Sequence, residues 1–110
     1  MDLSKSDKKV CRDLIEKGLQ REFTRGLQQA ESILCNWKSR NKDVKETYYS
    51  LYKMITNFDK QIGRRFDGIT GSRYVFSVAM LVSDKIISPE ECLPFSEDVR
   101  DYILRIAAME

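Results

Sequence analysis

From Tyr74 to Val82 the chain offers a single polar side chain, Ser77. A segment apolar on nearly every side has to be surrounded by other elements, so this stretch dictates what the remainder must do. It is far shorter than the ~20 apolar residues of a membrane-spanning helix, and Arg73, Asp84 and Lys85 bracket it. A buried strand is the rival reading, because Val75, Val78, Val82, Tyr74 and Phe76 all suit strands. Helix is preferred. Arg73, Ser77 and Asp84 fall near one side at helical spacing, and no partner strand is evident elsewhere to satisfy an extended backbone.

The flanking sequence supplies amphipathic helices to do the wrapping. Ser4 or Ser6 can cap a first helix, with Asp7 at the positive end of its dipole. Its apolar positions run Cys11, Ile15, Leu19, Phe23, Leu27, Ala30, Leu34 and Trp37, and Gly18 and Gly26 interrupt the pattern. Each glycine costs ~1 kcal/mol against alanine in a helix. They either admit a close neighbour or, at Gly18, break the helix. The polar stretch 38–42, with Asn41, reads as a turn. Asp43 and Glu46 then form a capping box for a second helix. Its seam reads Tyr48, Leu51, Ile55, Phe58, Ile62 and Phe66, and the short turn makes the pair an antiparallel hairpin.

Gly68 and Gly71 end that helix, and Ser72 is expected to cap the central one, which stops near Asp84–Lys85 before Ile86 and Ile87 turn inward. Ser88, Pro89 and Glu91 predict a short capped helical turn halted by Pro94, and Ser96 predicts the start of the last helix. The expected architecture is therefore all-α. A long antiparallel hairpin, 7–38 and 44–66, carries two shorter helices at 73–84 and 97–108. The whole, 1–110, forms one domain after a disordered start at 1–5.

Composition narrows the function classes. With 42% hydrophobic and 33% charged residues, the chain suits a soluble globular domain. The N-terminal MDLSKSDKK has no apolar signal-like core, so the expected location is the cytoplasm. Cys11, Cys35 and Cys92 are far apart, without a CxxC pair, and there is no histidine. Neither a disulfide framework nor a zinc site is expected, and the thiols read as buried and reduced. No nucleophile–base pattern points to an enzyme, no cofactor is implied, and Glu90 and Glu91 are explained by capping.

Three features remain as candidates for binding. The loop FDGITGSR places Gly71, Ser72 and Arg73 before a helix N-terminus, a possible anion site, although it matches no phosphate-loop pattern. It also lacks the acidic spacing of a calcium loop. Residues 1–65 carry 15 basic against 9 acidic side chains, and 66–110 carry 4 against 8. The basic half, with Lys8, Lys9, Arg12, Lys17, Arg21 and Arg25 along one helix, could follow a nucleic-acid backbone, but interspersed carboxylates favour a solvated face. Trp37, Tyr49 and Tyr52 sit beside the hairpin seam and are candidate interface anchors. The favoured expectation is a protein that works without catalysis, by binding another protein or a second copy of itself. Nucleic-acid binding is the alternative.

Overall fold

Capping chemistry divides the described chain, residues 2–109 of a computed structural model, into four α-helices: α1 (Lys5–Arg40), α2 (Val44–Phe66), α3 (Tyr74–Ser83) and α4 (Glu97–Met109). Short 3-10 turns at Gly71–Arg73 and Pro89–Cys92 complete the regular structure, and no strand occurs among the described residues. The all-α expectation holds, and the apolar run is a helix. Of the expected disordered start, Met1 lies outside the described residues, while Lys5 is already helical. Ser4 begins α1: its hydroxyl oxygen accepts the Asp7 amide at 3.0 Å. The helix ends at Asn41, in the left-handed region at φ 49°, where the Lys42 amide reaches back to the Trp37 carbonyl at 3.3 Å. That is a Schellman closure, with asparagine in the residue position that tolerates positive φ. Asp43 accepts the Glu46 amide at 2.9 Å and opens α2 as expected.

The contacts fall into two compact units. One joins the chain up to Gln20 with the chain from Gly68 onward; the other is the hairpin Arg21–Asp67.

In the first unit α3 packs against α4 and the start of α1. Val78, Ala79 and Leu81 of α3, Ile87 after it, and Ile103 of α4 are all buried, as are Cys11 and Leu14 of α1. Each large side chain here contributes roughly 1.5–3 kcal/mol by leaving water. The wrapping is incomplete. Phe76 remains 46% exposed because it projects from the side of α3 opposite Val78 and Leu81. Ser72 does not cap α3. The 3-10 turn intervenes, Arg73 is the cap residue with no side-chain bond, and the Ser72 and Thr70 hydroxyls pair at 3.1 Å. α3 ends as predicted: Lys85 takes φ 62°, and the Ile86 and Ile87 amides both donate to the Leu81 carbonyl. The box at Ser88 and Glu91 forms with both reciprocal bonds.

Gly18 does not break α1, which is continuous. A Cβ there would stand 3.0 Å from Leu81 Cδ1, so the glycine is what lets α3 approach. A long-range polar clasp accompanies this contact. The Ser96 amide and hydroxyl donate to the Asp7 carboxylate at 2.9 and 2.7 Å. Asp7 is 4% exposed. The Ser96 amide, against the opposing pull of burial and with help from the Ser96 and Ser4 hydroxyls, holds its carboxyl below the usual aspartate range.

The hairpin is antiparallel: Gly26 and Phe58, equidistant in sequence from Lys42, face each other, and a Cβ on Gly26 would lie 3.3 Å from the Phe58 ring. The line along α1 that meets its neighbours is not the apolar stripe read from spacing. It runs Asp7, Cys11, Leu14, Gly18 and Glu22, all buried, then Gly26, Ala30, Ile33 and Trp37, all half-buried. Likewise α2 turns Leu51, Met54, Phe58 and Ile62 inward, while Tyr48 and Ile55 of the expected seam stay exposed. The physical reason is that a helix face touching another helix closely favours small residues, which hydropathy does not register.

Two stability predictions follow from these contacts. Gly18→Ile should destabilise by about 1–3 kcal/mol through overpacking against Leu81, seen as a lower urea midpoint, whereas Gly26→Ala should be neutral or stabilising by up to ~1 kcal/mol. Asp7→Ala should cost about 2 kcal/mol near neutral pH by orphaning the Ser96 donors. Because the folded-state pKa of Asp7 is depressed, this contribution is complete above the unfolded value of ~3.9 and disappears as pH falls through the folded value. The wild-type and Asp7→Ala urea midpoints should therefore converge in acid.

Candidate functional site

The hairpin leaves an unusual amount of apolar surface in water. α2 has no buried residue. On α1, Phe23, Leu27 and Leu34 are exposed, Leu27 by 72%. On α2, Val44, Tyr48, Tyr52 and Ile55 are exposed, the first three by 63–68%. The exposed positions are ordered. Phe23, Leu27 and Leu34 each follow by one residue a member of the α1 contact line: Glu22, Gly26 and Ile33. Tyr52 and Ile55 each follow a member of the α2 line: Leu51 and Met54. One residue is a turn of about 100° in the same sense on each helix. The helices run in opposite directions, so equal rotations from a shared contact line point to the same side. The two stripes form one continuous apolar face, two helices wide.

Side-chain geometry along this face is specific. Leu27, Ala30, Leu34, Trp37 and the stem of Lys38 line a shallow groove on α1. Tyr48 and Tyr49 meet edge to face with centroids 5.6 Å apart. At the end of the hairpin away from the turn, Glu22 is nearly buried and bonds Arg25 at 3.0 Å, and the Arg25 guanidinium lies 5.1 Å from the centre of the Phe58 ring.

The three expected anchors are therefore placed differently from one another. Tyr52 lies in the open face. Tyr49 is exposed on the flank beyond it, and Trp37 is half-buried on the contact line at the groove edge. Phe23, Leu27, Leu34, Val44, Tyr48 and Ile55 join the face without having been singled out. The signal for them was present: a second apolar line, one residue after the first, on both helices.

The other candidates are not assembled into sites. Gly71, Ser72 and Arg73 are exposed, but the Arg73 amide bonds the Thr70 carbonyl and the Tyr74 amide bonds that of Gly71, so these donors already have acceptors. Among the basic side chains of α1, Lys9 pairs with Asp13 at 2.9 Å, Lys17 with Glu91 at 3.3 Å and Arg25 with Glu22. No group of three or more metal-ligating acidic or cysteine side chains occurs among the described residues. No helix among them is long and apolar enough to cross a membrane.

The cysteines differ from the expectation of uniformly buried thiols. Cys11 and Cys92 are buried, but Cys35 is exposed because it projects from the side of α1 opposite Ile33 and Trp37. Burial, reinforced by the nearby Asp7 charge, pushes the Cys11 thiol up to about 12, and burial raises Cys92 as well.

No protein family, characterised protein or solved structure matches this chain. The thiol environments carry a direct test. Ellman's reagent should label Cys35 in the folded protein, while Cys11 and Cys92 should react after denaturant is added.

Proposed function

We propose that this protein acts without catalysis, as an interaction module whose working surface is the apolar face of the α1–α2 hairpin. The observation that carries the reading is the exposure of Leu27, Val44, Tyr48 and Tyr52, each above 60%, on one side of two paired helices. Contiguous apolar patches of this kind mark association surfaces. Tyrosine suits them, because a large ring with a polar tip tolerates both water and a partner. A two-helix layer also has one face more than it can cover by itself, and a further layer is its usual completion.

Nucleic-acid binding through the basic N-terminal half is the second reading. It is favoured by the exposed cluster Lys38, Arg40, Lys42 and Lys45 at the hairpin turn. The carboxylate partners of Lys9, Lys17 and Arg25 weigh against it, since a paired cation attracts phosphate less.

The full chain and a Leu27→Asp, Tyr52→Asp variant, each used as bait and read by mass spectrometry, test the proposal. Whatever the wild-type bait retains, including untagged copies of itself, should be lost from the variant while its helical circular dichroism persists. Equal retention by both baits would count against this face as the working surface.

A further inference from the structure

The open face has the extent, width and charge pattern of half of a symmetric interface. Resting on the interaction reading above, we infer that its occupant is a second copy of the same chain, docked antiparallel so that two hairpins close a four-helix bundle across Tyr52.

Extent comes first. The three α1 and four α2 side chains of the face are exposed by 42–72%. At roughly 150–200 Å² per large side chain they present about 700 Å², close to the ~800 Å² that each partner buries in a standard stable interface. Width comes second. A layer two helices broad is matched by another layer of the same breadth, which is the packing of a four-helix bundle.

Charge sets the orientation. Lys45, Tyr52 and Asp59 lie at seven-residue intervals, hence along one line of α2, and all three are exposed. Lys45 is near the turn and Asp59 near the other end. Neither has an ion-pair partner within the described residues. A parallel copy would set Lys45 against Lys45 and Asp59 against Asp59. A two-fold axis through Tyr52 instead sets Lys45 of each copy toward Asp59 of the other, twice per dimer, as an isologous contact requires. The hairpin's surplus of 10 basic over 6 acidic side chains opposes association. At physiological salt, charges farther apart than ~8 Å are largely screened, so the closer Lys45–Asp59 pairs dominate.

Sedimentation equilibrium on the full chain tests the inference. The expected species has twice the 12.9 kDa chain mass. Tyr52→Glu should weaken the dimer more than a hundredfold, as loss of a central aromatic anchor does in both copies. Lys45→Glu and Asp59→Lys should each weaken it about tenfold by juxtaposing like charges, and combining them should restore affinity. Circular dichroism establishes that each variant is folded. As an independent measurement, Tyr52→Cys in a Cys35→Ser background should give a disulfide-linked dimer under mild oxidation. A monomer at every concentration, a dimer indifferent to Tyr52→Glu, no rescue in the double charge reversal, or no cross-link would each overturn the inference. If the chain is monomeric but its bait still loses a protein with Tyr52→Asp, a different partner occupies the face. If nothing is lost, the interaction reading falls as well.

Discussion

Leu81 is the point on which the first unit turns. Its side chain fills the space left by the missing Cβ of Gly18, and its carbonyl accepts the amides of both Ile86 and Ile87. One residue thus sets the approach of α3 to α1 and terminates α3. The termination places Ile87 in the core, fully buried. It also forces Lys85 into the left-handed region, a conformation costing roughly 1–2 kcal/mol for a residue with a Cβ. That strain persists because the burial of Leu81 and Ile87 outweighs it, at roughly 1.5–3 kcal/mol each.

The hairpin follows a different logic. Its contact line is made of glycine, alanine and a few larger residues, and α2 buries none of its side chains fully. Apolar burial scales with area removed from water, so two helices touching along one narrow line gain little of it. Their larger apolar side chains, Phe23, Leu27, Tyr48 and Tyr52 among them, stay outside that line. Stability in the first unit and availability in the second are consequences of the same variable, the number of sides on which a helix is covered.

Much of the fold was legible from local chemistry. Caps depend on a few adjacent residues, which is why Asp43–Glu46 and Ser88–Glu91 read correctly. Asn41 and Gly68 likewise announced left-handed turns, at φ 49° and 69°. The buried face of α1 was not legible, because hydropathy counts Asp7, Gly18, Glu22 and Gly26 as outside. What puts them inside is tertiary: the Ser96 donors for Asp7, the Arg25 partner for Glu22, and close neighbours for the glycines. Ser72 misled for a related reason, since a 3-10 turn between it and α3 leaves no trace in residue type. Of the open face, Tyr52 was visible as a ring beside the seam. Tyr48 and Ile55 were assigned to the seam because two adjacent apolar lines on α2 look alike until the partner's position is known.

The Asp7–Ser96 clasp joins positions 89 residues apart. Closing so long a loop is a late event on entropic grounds. A nascent chain emerging from the ribosome can form the hairpin once Asp67 is clear of the exit tunnel, but the first unit must wait for α4. The order of synthesis therefore exposes the hairpin's apolar side to other chains, including neighbours on the same messenger, while the remainder is still unfolded.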